Sequence, residues 1–551
     1  SNEIVLVLFF INLTHNEILR NQTMGNIFSR EHLIGQLSQT KAWDVIVIGG
    51  GATGLGVALD SATRGYKTLL LEQVDFAKGT SSRSTKLVHG GVRYLQQGDI
   101  SLVLEALKER GLMIKNAPHL VKNQAFIIPN YEWWDGPFYQ VGLKVYDLMS
   151  GKLGIGSSKK LSKEETIEHI PTIDQKGLKG GVVYYDGQFD DARMALSLAK
   201  TAKQFNAVVL NYFEVIELKK NEEGIISGVK AKDLESGKVH NIEAKTVINA
   251  TGVFADRIKK MDEPDIKEMI QPSQGIHLVV SKEFLPDKYA IMVPQTKDGR
   301  VMFAVPWHDK VVLGTTDTMK ERPELEPEAL PSEVDFILET AGQYLAKQPT
   351  REDVLAVFSG LRPLAKPEGE GKSTKEISRH HKVMISQSGL ITIIGGKWTT
   401  YRKMAEDTVD NAILIGALPE RKCITSNLPI YGYDQNLDIT TDHLAVYGTE
   451  KYQLLELEEE EPALAEFLSE DIPLRKSQVV WAVRNEMART VEDVLARRVR
   501  GLFLNAEESL RIAPEVASIM AAELNKEKDW VEDQLASFKE VAAHYTIDVG
   551  Y

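Results

Sequence analysis

Asp44-Val-Ile-Val-Ile48-Gly49-Gly50-Gly51-Ala52-Thr53-Gly54 decides the architecture. A short apolar run enters the spacing Gly49-x-Gly51-x-x-Gly54, a helix-compatible stretch continues from Thr53 to Arg64, and a second apolar run, Thr68 to Leu71, stops at Glu72. That order is β-α-β. The three glycines act differently. Gly49 permits the tight turn, Gly51 lets the backbone approach a pyrophosphate, and Gly54 lets the helix pack close to the strand. Glu72 closes the second strand where an adenosine ribose would meet it, which disfavours a 2′-phosphate. A purely structural glycine turn is the alternative, but strand, helix and acidic residue agree on a dinucleotide site. These residues leave FAD and NAD open. A second glycine turn, Asn249-Ala250-Thr251-Gly252, follows the apolar run from Lys245 to Ala250; a chain that returns to its cofactor at such a turn favours a flavoprotein, with an ordinary β-turn as the alternative.

Outward from this unit, Ile100 to Ala117 has a helical pattern, and the Pro-, Trp- and Gly-rich sequence to about Gly156 shows no clear period and leads into another domain. Between Gln271 and Asp317, short β-type runs (IHLVV, YAIMV, VMFAV, VVLGTT) alternate with Pro and Gly, as in an antiparallel sheet laid over a ligand. Leu390 to Gly396 is a strand into a glycine pair, and Lys397 to Ile415 is helical. Beyond Cys423 an acidic run, Glu456 to Glu461, and helical stretches Gln478 to Leu504 and Glu507 to Leu524 indicate a separate α-helical cap. The expected fold is α/β: a discontinuous Rossmann-type FAD-binding domain, an antiparallel-sheet substrate domain and a C-terminal α-helical cap. The expected division is an N-terminal extension over 1–40, an oxidoreductase region over 41–420 and a helical domain over 421–551. Within the middle region, FAD-binding parts fall at about 41–120, 190–270 and 355–420, and substrate-domain parts at about 121–189 and 271–354.

Composition bounds the rest. A chain of 551 residues with 43% hydrophobic and 26% charged residues is globular and long enough for several units. A net charge of -13 argues against nucleic acid as a partner, so any anion site is local. The single cysteine, Cys423, cannot form an intramolecular disulfide, no Cys/His cluster has metal-site spacing, and no metal is expected. The apolar run Ile4 to Ile11 is too short to span a bilayer and lacks signal-peptide flanks. Ser1-Asn2 has the form of a tag remnant and Met24 that of a natural start.

The stretch Thr80-Ser-Ser-Arg-Ser-Thr-Lys86-Leu-Val-His89-Gly90-Gly91-Val-Arg93-Tyr94-Leu95 resembles the signature of FAD-dependent glycerol-3-phosphate dehydrogenases, a family with the glycine/D-amino-acid oxidase-like fold. Further matches follow in order: Phe189-Asp-Asp-Ala-Arg193, Gln274-Gly-Ile-His277, Val305-Pro-Trp307, Gly314-Thr-Thr-Asp317, Ser359-Gly-Leu-Arg-Pro-Leu364, Gly395-Gly-Lys-Trp-Thr-Thr-Tyr-Arg402 and a helix Ala488 to Arg498. The resemblance implies oxidation of sn-glycerol 3-phosphate to dihydroxyacetone phosphate, with electrons passed to quinone. It implies flavin contacts at Ser81, Ser82, Lys86 and Leu87, at His89 and Gly90, and at Thr251, Gly252, Gly396 and Thr399. His89 and His277 are the candidate bases, each with the alternative of only hydrogen-bonding the flavin or a carbonyl.

For the phosphate dianion, Arg362, Arg379 and Lys397 are the candidate clamp, since guanidinium forks match phosphate oxygens in pairs and lysine adds a point charge. Arg93 and Tyr94 are further substrate contacts. The family's KGSH-like element is Gln274-Gly275-Ile276-His277 here, so a lysine and a serine are absent. No D-x-[DN]-x-[DN]-G calcium loop occurs, which in this family points to a bacterial-type member. The resemblance places the enzyme in the cytoplasm on the inner face of the cell membrane, and a homodimer is compatible with it. Arg497, Arg498 and Arg500 beside Leu502, Phe503 and Leu504 offer a basic amphipathic face for that surface, with a solvated helix on the cap as the alternative. Two other functions stay in view. One is an oxidase returning electrons to oxygen, which the compact segment from Arg362 to Gly395 disfavours; the other is a non-catalytic or RNA-modifying flavoprotein sharing only the Rossmann unit.

Overall fold

The computed structural model describes residues 28–92, 99–132, 135–296, 299–366 and 380–547. The strand Ala42–Ile48 lies between Val239–Asn249 and Thr68–Leu71, parallel to both, with Val208–Leu210 and Ile391–Ile394 as the next parallel neighbours. Thr68–Leu71, Val208–Leu210, Ile391–Ile394 and the ends Val45–Ile48 and Thr246–Asn249 of the two longer strands are buried on both faces, as parallel strands under helices are. The eight-stranded sheet therefore gathers residues far apart in the chain, the discontinuous Rossmann-type arrangement. The helix Ala52–Thr63 covers it and packs on helices Asp191–Gln204 and Tyr401–Ile415.

A second, ten-stranded sheet is antiparallel except where Ala290–Val293 runs parallel to Val121–Asn130. Toward one edge, Val121–Asn130 and Gly180–Phe189 pair along ten residues each; the first comes from sequence without clear period. The strand Val354–Ala365 also belongs here, pairing along its length with Ile270–Ser281, although its sequence falls in the third expected FAD-binding part (about 355–420). Pairing overrides contiguity because each residue of one strand meets a fixed partner on the other.

The expected N-terminal extension contributes to the fold from residue 29 on. Ser29 caps the helix Arg30–Gln39, Leu33 and Leu37 are buried, and Arg30 reaches Asn211 and Asp233. The run Ile4 to Ile11, Ser1-Asn2 and Met24 lie outside the described residues.

The C-terminal helices, including Lys476–Asn485, Ala506–Leu524 and Lys528–Ala543, form a core with Val279, Trp307, Val312, Ala356 and Phe358 of the second sheet. The helix expected from Gln478 to Leu504 is broken. It ends at Asn485, Met487 and Arg500 take left-handed backbone conformations, and Asp493–Arg498 forms a π-helical turn. The break turns three arginines inward. Arg497 and Arg498 grip Asp75, Arg497 also reaches Glu492 and Asp493, and Arg500 reaches Asp191. All three are 1% exposed, so they form neither a membrane face nor a solvated helix. Among the described residues no helix is long and apolar enough to cross a membrane.

This junction has an acid limit. Arg193 and Lys200 hold the Glu486 carboxyl, and Arg497 and Lys78 that of Glu492, down to about 2 against the opposing effect of burial. Folded values below the ordinary 4.5 mean that this stabilisation is present above pH ~4.5 and is lost as pH falls toward ~2. Melting temperature, followed by calorimetry, is expected to be level from pH 7 to about 5 and to drop steeply below about 4.5; a level profile to pH 3 would show that these pairs do not stabilise the fold.

Candidate active site

Two adjoining cavities lie where the sheets meet. The first opens on the amino end of the helix Ala52–Thr63. Gly51 caps that helix without a side-chain bond, and Ala52 N donates to Ser81 Oγ at 2.8 Å. Gly49 sits at φ 108°, and a Cβ on it would come 2.7 Å from Ala250 O. A Cβ on Gly54 would come 1.9 Å from Gly49 O, so helix and turn touch through bare backbone. Glu72 lines this cavity with Thr251 and Gly252, and its carboxylate also fixes the turn by accepting from Gly50 N at 2.6 Å and Val74 N at 2.9 Å. Burial pushes its carboxyl up.

The second cavity, ≈ 530 Å³, is floored by the longest strand pair. His277 opposes Phe358, Gly275 opposes Gly360, and Ser273 opposes Arg362. Alternation puts all six on one face, so His277 and Arg362 flank a bare glycine pair. The room is needed: a Cβ on Gly275 would come 2.4 Å from Arg362 Nη2. Arg362 donates to Thr316 O at 3.0 Å and pairs with Asp317 at 3.3 Å. His277 stacks on Phe358 at 4.8 Å, and its Nε2 is hydrogen-bonded to Thr85 Oγ1 at 2.9 Å. Burial first, then Lys86 and Arg362, hold its pKa well below 6.5, so the ring is neutral. His89, Leu87 and Thr399 line the same cavity, and Gly396 and Lys397 line both.

Not every expected contact faces a cavity. Lys86 is fully buried, its ammonium 2.8 Å from Asp191 and 2.6 Å from Ser82 O, under the rings of Trp307, Phe358 and Phe503. Burial lowers its pKa to about 7. It braces the 80–86 turn from behind, and Ser82, whose carbonyl it binds, is turned away as well. Gly90 donates its N–H to Tyr146 Oη and leaves room for Leu107; Gly91 lines the cavity instead. Arg93, Tyr94 and Arg379 lie outside the described residues.

Residues 44–402 match the family model described as FAD dependent oxidoreductase, and residues 391–531 match the C-terminal domain of alpha-glycerophosphate oxidase. The mitochondrial glycerol-3-phosphate dehydrogenase of Macaca fascicularis is 40% identical over 93% of this chain and 74% of its own length. The chain belongs to the FAD-dependent glycerol-3-phosphate dehydrogenase family. A solved member from Bacillus halodurans, complexed with FAD, is 30% identical, superposes with a TM-score of 0.76 and covers 95% of this chain and 98% of its own. Glycine oxidase from Geobacillus kaustophilus, 18% identical with a TM-score of 0.51 over 71% of this chain and 99% of its own, shares the fold.

The chain is FAD-dependent, and the first cavity fits that cofactor: the glycine cradle leaves no room for Cβ atoms, and the helix end above it has no side-chain cap. The departure at Gln274 also has a place. Gln274 points to the opposite face from Gly275 and His277 and donates to Glu333 at 2.7 Å and Glu328 O at 2.9 Å, tying the strand to the helix Pro331–Ala341 rather than entering the site. Sequence reasoning passed over Arg83, Arg300, Thr316 and Asp317 as site residues, all of which line the second cavity. Arg83, Thr316 and Asp317 lay in motifs that marked their segments, and Arg300 lay in none.

Proposed function

We propose that this chain oxidises sn-glycerol 3-phosphate to dihydroxyacetone phosphate and passes the electrons to a membrane quinone, as a peripheral enzyme of a membrane face. The observation that carries this is the pairing of His277 and Arg362 across the glycine floor, a proton acceptor and an anion fork on one face of one strand pair. Bound FAD supplies the hydride acceptor. The uncapped end of the helix Ala52–Thr63 with Gly49, Gly51 and Gly54 takes its pyrophosphate, and Glu72 its ribose. Ser81, Leu87, Thr251, Gly252, Gly396 and Thr399 complete its walls. Arg362 and Lys397 hold the substrate phosphate, joined by Arg379, Arg93 and Tyr94.

One of the two imidazoles at the cavity, His89 or His277, accepts the hydroxyl proton. Neutral His277 is in the accepting form across the physiological range, and its low basicity means that the proton must be passed on quickly.

Stopped-flow mixing without oxygen tests this directly. Glycerol 3-phosphate is expected to bleach the flavin, and a soluble quinone analogue to restore its colour much faster than air does. The variant lacking the base, His89→Asn or His277→Asn, is expected to lose about 10²–10⁴-fold in the reduction rate. No bleaching by the substrate would refute the function; wild-type behaviour of both variants would refute the base; rapid stoichiometric peroxide in air would make the chain an oxidase.

A further inference from the structure

The helix Asp135–Ser150 is apolar on two sides. Inward, Leu143 and Tyr146 are each 1% exposed and join a cluster with Val103, Leu107 and Phe126. Outward, Val141, Val145 and Leu148 follow at the i, i+4, i+7 spacing of one helix face, and they are 67%, 42% and 81% exposed. The helix Ile100–Asn116 runs alongside in the same direction. Leu107 and Tyr146 meet over Gly90, and Arg110 Nη2 donates to Ser150 Oγ at 3.1 Å further along. It repeats the pattern, with Ile100 and Leu104 one turn apart and 55% and 46% exposed. Single exposed aliphatic residues are ordinary, but five on two adjacent helices mark a contact surface.

Charge indicates what covers it. The chain as a whole carries -13, yet residues 140–160 hold four lysines, Lys144, Lys152, Lys159 and Lys160, against one carboxylate, Asp147. All four lysines are exposed, as is Lys108 on the neighbouring helix; Lys144 also donates to Ser158 O at 2.6 Å, and Lys159 pairs with Glu165 at 3.1 Å just beyond the segment. Asp147 is occupied by the N–H and hydroxyl of Ser158. Aliphatic side chains rimmed by lysines on an otherwise acidic molecule match a surface that is apolar below and anionic above, which is the boundary of a phospholipid leaflet. The position agrees. The residue that caps the helix Ile100–Asn116, Asp99, and Leu102 one turn in both line the second cavity, so this face adjoins the cavity that an electron acceptor must approach.

We propose that the outward face of the helices Ile100–Asn116 and Asp135–Ser150 docks the enzyme on an anionic phospholipid bilayer. Val141, Val145 and Leu148 enter the headgroup–acyl boundary, and Lys144 and Lys152 lie against the phosphates. The inference rests on the quinone-reducing function above, for which it supplies the membrane surface that Arg497, Arg498 and Arg500 do not form.

Flotation of the FAD-loaded full chain with phosphatidylcholine vesicles, with and without phosphatidylglycerol, provides the test. The unsubstituted chain is expected to float with phosphatidylglycerol vesicles and much less without them. Val141→Asp/Leu148→Asp should lower that partition about a hundredfold, because two aliphatic side chains are withdrawn and two like charges added. Its turnover of glycerol 3-phosphate with a soluble dye should be unchanged, since neither residue touches a cavity. The proposal is overturned if the unsubstituted chain does not float, or if the double variant floats equally well. It is also overturned if the variant changes from dimer to monomer in sedimentation while still binding vesicles, which would make the face a contact between copies. Failure of the unsubstituted chain to turn over the dye would refute the catalytic function instead and leave the docking result standing.

Discussion

Arg362→Ala is expected to lower kcat/KM for glycerol 3-phosphate by roughly 10²–10³-fold while the FAD content stays normal. Losing a charge-assisted fork leaves a phosphate oxygen unpaired in a half-buried cavity, and each ~1.4 kcal/mol is a tenfold change. Asp317 places the effect at the upper end, because without its 3.3 Å partner that carboxylate would face the dianion unneutralised. Arg362→Lys should recover only part of the loss, since a point charge does not reproduce the fork. Arg362→Ala/Asp317→Asn should recover part by another route, by removing the repulsion. Residual turnover of glycerol is the control and should hardly change. An equal loss for both alcohols would mean that Arg362 holds the fold or the flavin, and the phosphate assignment would have to be withdrawn.

Gly54→Ala should cost the protein its cofactor. The added methyl would stand 1.9 Å from Gly49 O, and backbone meets backbone there, so no side chain can rotate away. Either the helix Ala52–Thr63 lifts off the strand or the turn opens, and both displace the amides from the pyrophosphate position. Overpacking of this kind costs about 1–3 kcal/mol or more. The purified variant is expected to be nearly colourless and to melt lower, with flavin absorbance per chain as the measure. A fully loaded variant would show that this contact does not set the cradle.

What the sequence disclosed follows from where the determining partners lie. The Rossmann unit was legible because its signals are local: a glycine spacing, two buried strands and one carboxylate. Residues 118–156 hid a strand and a helix for a physical reason, since Val141, Val145 and Leu148 make the helix Asp135–Ser150 apolar on its outer side as well, which blurs the helical period. Within the site, His277 and Arg362 were each picked from motifs, but the fact that they share a face depends on a strand register that no single segment contains. The three cap arginines were misplaced for the same reason: taken alone they look like surface charges, but their counter-charges, Asp75 and Asp191, are supplied from elsewhere in the chain.

The inward arginines also set a schedule. Asp75 precedes Arg497 by 422 residues, so a ribosome adding about 5–20 residues per second needs ~20–80 s to deliver the partner. The turn that carries Lys78, Thr80 and Ser81 along both cavities is braced by Glu492, Arg497 and Arg498, and the strand bearing Arg362 receives a further tie when Val357 N donates to Tyr545 O. The glycine segment itself emerges early in that interval, whereas the strand Val239–Asn249 and Ala250 that pack on it come later and the cap comes last. The nascent chain must therefore keep its apolar β-strands from other partners until the cap arrives, and cofactor capture belongs to the last moments of synthesis rather than the first.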